Sequence, residues 1–196
     1  MIFYLDPGEQ ILVITGPNQG GKTTYARALG QLHYLASLGL CVPGTSAELR
    51  LTDRVLTHFE REEPRKGGRL LDDLQRLRAL MDRTSGNSLV IINEIFASTA
   101  ARDASELGRR MMRTLLNRGC LAVVVTFLSE LAEYGPGVVS MMSATDPKEP
   151  SVRTFRVIRK PPDGRTYAMT LAAGHGLTYG EIIRRMRDAD DAFIPG

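Results

Sequence analysis

The sequence predicts an α/β fold with a mainly parallel central sheet flanked by helices and a short β-rich C-terminal part. Apolar runs rich in β-branched residues alternate with longer segments of helical periodicity along most of the 196 residues. This alternation is typical of parallel strands joined by helices. After Pro136 the runs become shorter and turn residues more frequent, which indicates the β-rich part. The length favours one domain over residues 1–196.

The elements follow in order along the chain. Short apolar runs predict main strands at 11–15, 54–59, 88–93 and 121–126, and the C-terminal part adds strands at 138–142, 153–158 and 166–169. Helical periodicity predicts helices at 22–37, 69–83, 103–117 and 179–188. Residues 41–48 are expected to be extended. The run 88–93 shows no alternation, so we expect both its faces to be covered. The second helix carries a leucine stripe at Leu70, Leu71, Leu74, Leu77 and Leu80.

Composition limits the class of protein. The chain is 43% apolar, which suits a packed core and argues against disorder. No apolar run approaches the roughly 20 residues that cross a bilayer, and the N-terminus lacks the basic region of a signal peptide. A soluble, cytoplasmic protein without a membrane partner is therefore expected. The net charge of +3 permits contact with nucleic acid without requiring it.

Cysteine and histidine indicate no metal site. Cys41 and Cys120 form no C-x-x-C pair, so buried free thiols are the simpler interpretation. The three histidines show no spacing typical of zinc ligands. Two arginine clusters can form basic patches, but solvated helix faces explain them at least as well. These clusters are Arg109, Arg110 and Arg113, and Arg184, Arg185 and Arg187.

A phosphate-binding pattern spans residues 16–24. It reads G-x-x-x-x-G-K-[ST], follows the strand 11–15 and precedes a helix-compatible segment. Glycines let backbone NH groups approach phosphate oxygens, and the helix start adds the positive end of its dipole. An ordinary glycine-rich turn is the alternative, but the flanking strand and helix favour a nucleotide site. The expected binding residues are Gly16, Pro17, Asn18, Gln19, Gly20, Gly21, Lys22, Thr23 and Thr24.

Four side chains carry the expected chemistry. Lys22 can reach the β and γ phosphate oxygens, and the Thr23 hydroxyl can bind magnesium. Asn93 and Glu94 follow the strand 88–93, where a Walker B segment places one residue that orients magnesium through water and a carboxylate that polarises the attacking water. Asn93 keeps an acceptor oxygen without the charge, and Glu94 is the candidate general base. A polar pair without chemistry at the strand end is the alternative.

These motifs resemble those of the MutS DNA mismatch-repair family. Residues 15–25 are similar to the family pattern T-G-P-N-M-G-G-K-S-T-Y, and the Pro17-Asn18 pair is far more distinctive than the generic loop. Residues 88–95 resemble its S-L-V-L-I-D-E-I strand. Other similar segments are 38–43 (G-x-x-V-P-A), 125–131 (A-T-H-Y-H-E-L), 166–177 (S-Y-G-I to A-G-L-P), and Ser98, Thr99 and Asp103 in the G-T-S-T-x-x-D loop.

The resemblance covers nearly the whole chain and corresponds only to the C-terminal ATPase domain of the family. It implies a P-loop NTPase fold of the ABC type that forms a head-to-head homodimer, with ATP and Mg²⁺ between one subunit's loop and the other's signature segment. It further implies a role in DNA mismatch repair or DNA processing, in which nucleotide state is coupled to the DNA clamp. We therefore expect a fragment of a larger protein that contacts DNA through regions outside this chain. Phe3 or Tyr4 is expected to pack either on the adenine or in the core.

Three positions depart from the family pattern, and all three concern hydrolysis. Asn93 stands where a magnesium-orienting aspartate is expected, and Phe127 stands where a histidine would sense the γ-phosphate. Gly68 falls where the signature serine would reach across the dimer, although Gly67 and Gly68 can still offer backbone NH groups at a helix start. Together the substitutions indicate slow hydrolysis or a changed use of ATP.

Two functions of different classes remain open from the sequence. The first is a slow ATPase in which Glu94 activates water, and the retention of Lys22, Thr23 and Glu94 together favours it. The second is a dimerisation module that binds ATP or ADP with little or no turnover. A small-molecule kinase is a weaker third alternative, because no segment resembles an acceptor-binding lid. Since no motif that reads base edges is found, DNA contact is implied only by the family resemblance.

Overall fold

The central sheet is mainly parallel, as the alternation of strands and helices predicts. The computed structural model describes residues 3–59, 68–146, 152–163 and 175–191. Its strands are β1 (Ile11–Thr15), β2 (Arg54–His58), β3 (Ser88–Asn93), β4 (Leu121–Val125), β5 (Val138–Thr145) and β6 (Arg153–Arg159). They form one sheet in the order β2-β3-β4-β1-β5-β6. Strands β1 to β5 pair in parallel, and β6 pairs antiparallel with β5.

Four described helices accompany the sheet. They are α1 (Lys22–Ser37), α2 (Arg69–Arg83), α3 (Ala101–Arg118) and α4 (Tyr179–Asp191), and a short 3₁₀ turn lies at Ser129–Leu131. All four predicted helices are confirmed, with α3 and α4 longer than expected. No helix in the described part of the chain is both long and apolar enough to cross a membrane.

Alternate residues of the strands pack into two separate clusters, one on each face of the sheet. One face packs against α1 through Tyr25, Ala26 and Leu29. The other face packs against α2 and α3, with Met112 and Leu115 among the fully buried side chains. Every residue of β3 is buried, which confirms that this strand is covered on both faces.

Three expectations about the periphery were wrong. Residues 41–48 are not extended throughout, because the backbone bends at 43–45. Cys41 is exposed, whereas Cys120 is buried as expected. Leu71 is 47% exposed although the other four leucines of its stripe pack on the sheet, because the rotation of about 100° per residue carries Leu71 far around the helix from Leu80. The predicted strand 166–169 lies outside the described residues.

The strand order places the two sequence motifs at one edge of the sheet. Residues that follow β1 and β3 both emerge at the carboxyl ends of parallel strands, with β4 between them. In open α/β sheets this edge is where ligands bind. The glycine-rich loop and the pair Asn93-Glu94 therefore lie next to one another.

Tyr25 provides a test of how α1 packs against the sheet. Its side chain is buried, and burial raises the pKa of Tyr25 from 10.0 to about 12. Because the unfolded chain ionises this phenol at lower pH than the folded chain does, the free energy of unfolding should fall by on the order of 2 kcal/mol between about pH 10 and pH 12. Urea denaturation of the wild type and Tyr25→Phe across this range checks it, since the variant should show a shallower decline. Equal declines in both proteins would contradict the prediction.

Candidate nucleotide-binding site

The loop between β1 and α1 wraps around the amino group of Lys22. Lys22 Nζ donates hydrogen bonds to the carbonyl oxygens of Gly16 and Pro17, each at 3.0 Å, and to Asn18 Oδ1 at 3.4 Å. The lysine is only 5% exposed although it is charged. The loop thus holds a buried cation at its centre, as the motif predicts.

Lys22 also faces one carboxylate. Its Nζ lies 3.9 Å from Glu94 Oε1, and the Glu94 side chain is 35% exposed. Burial lowers the pKa of Lys22 below its usual value, the Glu94 carboxylate partly opposes this, and the positive charge of Arg153 adds to it. The lysine is thus a desolvated cation with the Glu94 carboxylate close by.

The backbone turns sharply at the end of β3 and directs Glu94 towards the loop. Glu94 adopts φ 52°, in the left-handed region that non-glycine residues rarely occupy. Its NH donates to the carbonyl oxygen of Val125 at 2.8 Å, which holds the turn against β4. Strained backbone of this kind concentrates at functional sites, where surrounding structure over-determines it.

Asn93 is buried beside Glu94 at the carboxyl end of β3. Asn93 is 7% exposed, and its Oδ1 has no hydrogen-bond partner within the described part of the chain. A buried acceptor without a donor costs free energy on the order of 1–3 kcal/mol. This oxygen fits the role of accepting a hydrogen bond from a ligand or from a water molecule of a hydrated cation.

The start of α1 supplies donors to the same space. The N-cap residue Gly21, which precedes the helix, makes no side-chain capping bond, so the first backbone NH groups of the helix have no capping side chain. A pocket of about 370 Å³ opens here. It is lined by Asn18, Gln19, Gly21, Lys22, Thr23, Thr24, Glu94 and Phe155.

Ser143 of strand β5 contacts the phosphate-binding loop and supports its conformation. Its side chain is fully buried, and its hydroxyl donates to the carbonyl oxygen of Gly20 at 2.6 Å. A methyl group on Gly20 would lie 2.1 Å from Ser143 Oγ, and one on Gly16 would lie 2.9 Å from the Ser143 carbonyl oxygen. The two glycines therefore let the loop approach β5 more closely than any side chain would allow.

The aromatic residues considered for adenine contact and the positions that differ from the family pattern lie mostly away from the pocket. Phe3 packs against the core on the α1 face, and Tyr4 is exposed with the Arg159 guanidinium 4.8 Å from its ring centre. Neither lines the pocket, whereas Phe155 does. Phe127 is 52% exposed just after β4, and Gly68 precedes α2. Gly67 lies outside the described residues.

Sequence reasoning missed three residues that contact the loop or line the pocket: Ser143, Arg153 and Phe155. Ser143 had a usable signal, because it continues the buried alternation of Val139 and Met141 with a polar side chain at the end of β5. The two residues of β6 had none, since their approach to the loop depends on how β6 pairs with β5.

Comparison with known proteins gives a consistent family. The chain is 32% identical over 187 residues to Endonuclease MutS2 of Thermus thermophilus, covering 93% of this chain and 25% of that protein. It is 30% identical over 132 residues to DNA mismatch repair protein MutS of Thermotoga maritima, covering 66% of this chain and 17% of the relative. With the MutS protein of Chlorobium phaeovibrioides it shares 28% identity over 191 residues, or 94% and 22% of the two chains.

The chain thus spans a quarter or less of the length of these curated relatives. The sequence model for MutS domain V matches residues 12–191, which include the glycine-rich loop, the pair Asn93-Glu94 and the four helices. Because this match extends over nearly the whole chain, the protein belongs to the MutS family through its domain V.

Proposed function

We propose that this chain is an ATP-binding and slowly ATP-hydrolysing domain of a MutS-like protein that acts in DNA mismatch repair or DNA processing. The observation that carries the proposal is the buried Lys22 ammonium held by loop carbonyls, with the Glu94 carboxylate 3.9 Å away. A cation in a loop at a helix start and a carboxylate at the end of a nearby parallel strand are two parts that a P-loop ATPase of the ABC type uses.

Nucleotide binding is assigned to residues 16–24 together with Asn93. In this proposal the backbone NH groups of the loop and of the first turn of α1 bind the phosphates, and Lys22 contacts the β and γ oxygens. Gly20 and Gly21 keep the backbone close to the ligand. Phe155, rather than Phe3 or Tyr4, is the aromatic side chain that can contact the nucleotide, because it lines the pocket.

Magnesium is assigned to Thr23 and Asn93. The Thr23 side chain lines the pocket, and the unpaired Asn93 Oδ1 fits a water-mediated contact. When bound, Mg²⁺ neutralises charge on the phosphate oxygens. Because Asn93 contributes no negative charge, the domain should hold the ion less firmly than an aspartate would.

Hydrolysis is assigned to Glu94. Its side chain is partly exposed at the rim of the pocket, where its carboxylate can accept a proton from an attacking water molecule. Lys22 stabilises the charge that develops on the transferred phosphoryl group. Phe127 cannot donate a hydrogen bond where a histidine would sense the γ-phosphate, so we propose that turnover is slow.

The second candidate is a dimerisation module that binds nucleotide with little or no hydrolysis. It is favoured by Asn93, by the exposed Phe127 and by the absence of a hydroxyl at Gly68. Both candidates include a homodimer through this domain and coupling of nucleotide state to the dimer and DNA clamp. Both also leave DNA contact to regions outside this chain, in keeping with relatives that are named as DNA mismatch repair proteins.

Substitution of Glu94 by glutamine separates these two candidates. On the ATPase proposal, the wild type releases phosphate from saturating ATP with magnesium, and Glu94→Gln lowers this rate by about 100-fold or more while nucleotide affinity stays within about threefold. A steady-state phosphate assay and a binding titration measure both quantities. Glu133→Gln, at an exposed acidic position just after the 3₁₀ turn, is the matched control and should leave both unchanged. Wild-type release no faster than background would reject the enzyme and favour the module.

A further inference from the structure

Strand β6 carries an irregularity directly beside the loop. Ser143 pairs with Val157 and Thr145 pairs with Arg153, so three residues of β6 lie opposite Ala144 alone. Within this bulge Phe155 adopts φ 56°, and the Thr154 hydroxyl donates to the Ala144 carbonyl oxygen at 2.6 Å. Bulges of this kind redirect side chains and occur frequently next to active sites.

The bulge brings an arginine to the phosphate-binding loop. Arg153 Nε donates a hydrogen bond to the Asn18 carbonyl oxygen at 3.2 Å, and Arg153 is half-buried. Its charge lies close enough to Lys22 to disfavour the protonated form of that lysine. Two cations from different elements, α1 and β6, therefore share one region of the loop with the Glu94 carboxylate.

We propose that Arg153 is a second phosphate-binding cation of this site and that it favours a nucleoside triphosphate over a diphosphate. The inference rests on the proposed function, since it concerns the same site. A guanidinium presents a planar set of NH donors that suits phosphate oxygens. Arg153 is held at Asn18, near the beginning of the loop, whereas the α and β phosphates belong at the helix start that follows Gly21. Its contact is therefore with the terminal phosphate.

The charge of Arg153 also bears on the substitution at Asn93. A neutral side chain at the end of β3 leaves magnesium less tightly held, so more of the charge of the triphosphate must be neutralised by the protein itself. Arg153 supplies a full positive charge on the same chain as the loop. The affinity for ATP should consequently depend less on magnesium in the wild type than in a variant that lacks this arginine.

The experiment compares ATP and ADP binding to the wild type and Arg153→Gln by calorimetric titration, with excess magnesium and with EDTA. Arg153→Gln should lower the affinity for ATP by about tenfold and that for ADP by less than about threefold, with a larger loss in EDTA. Lys160→Gln removes the same charge at an exposed position just after β6 and should change neither affinity. Arg153→Lys should recover part of the loss, because lysine keeps the positive charge but lacks the planar set of NH donors of the guanidinium.

The outcomes separate this inference from the proposed function. Failure of the wild type to bind either nucleotide would reject both. The role of Arg153 alone would be overturned if ATP binding depends on Lys22 but Arg153→Gln leaves the affinity for ATP unchanged. Equal losses of affinity for ATP and ADP in Arg153→Gln would have the same meaning. A second measurement avoids substitution altogether: ATP should slow modification of Arg153 by phenylglyoxal more than ADP does, as followed by mass spectrometry of the wild type. Equal rates with ATP, with ADP and without nucleotide would also overturn it.

Discussion

Replacing Lys22 by alanine is expected to lower the affinity for ATP by about 100-fold or more. The Lys22 ammonium is the buried cation of the loop, and its removal takes away both the charge for the β and γ phosphates and the donor to the carbonyl oxygens of Gly16 and Pro17. Those carbonyl groups then lose a partner in a largely buried position, so the free energy of unfolding should also fall, by on the order of 1–3 kcal/mol. Titration with ATP and urea denaturation measure the two effects.

The controls for Lys22 distinguish its charge from its packing. Lys160→Ala removes an exposed lysine and should leave the affinity for ATP within about twofold. Lys22→Met keeps most of the apolar stem that is buried against the loop, so it should lose ATP binding while retaining more stability than Lys22→Ala. An alanine variant that binds ATP as tightly as the wild type would remove the basis for placing a nucleotide in this loop.

The central part of the fold could be predicted because its signals are local. The uninterrupted apolar run of β3 indicates a strand that is covered on both faces, and its burial confirms this. The loop motif places a lysine at the start of a helix through residues that are adjacent in sequence, so its position does not depend on contacts with distant residues. The proximity of Glu94 to Lys22 then follows from parallel strands, since their carboxyl ends meet at one edge.

The parts that could not be predicted depend on pairing between distant residues. The approach of Arg153 and Phe155 to the loop results from the two-residue difference in register between β5 and β6, which no glycine or proline in β6 signals. Leucine periodicity alone did not distinguish Leu71 from its neighbours, because one extra leucine fits an amphipathic helix equally well. The buried alternation in β5 could indicate that Ser143 is buried, but its contact with the loop depends on the pairing of β5 with β1.

Gly20→Ala is expected to lower the free energy of unfolding by about 2–3 kcal/mol and to weaken ATP binding, because the new methyl group would lie 2.1 Å from Ser143 Oγ. Either the Ser143 hydroxyl must rotate away, which breaks its hydrogen bond to the Gly20 carbonyl oxygen, or the loop or β5 must move. Ser143→Ala removes this oxygen, although it also costs about 1–2 kcal/mol by leaving the buried Gly20 carbonyl without its donor. Urea denaturation of the single and double variants measures the coupling between the two positions.

The double variant Gly20→Ala/Ser143→Ala should be more stable than the sum of the single effects predicts, by about 1–2 kcal/mol. Gly16→Ala provides the matched contrast, because its methyl group would lie 2.9 Å from the backbone oxygen of Ser143, at φ 112°. Ser143→Ala removes neither that oxygen nor the backbone strain, so the Gly16 and Ser143 effects should add to within about 0.5 kcal/mol. If Gly20 and Ser143 are also additive, the loop does not rest on the Ser143 hydroxyl. Coupling at Gly20 alone would mean that one side chain on β5 sets how closely the phosphate-binding loop approaches the sheet.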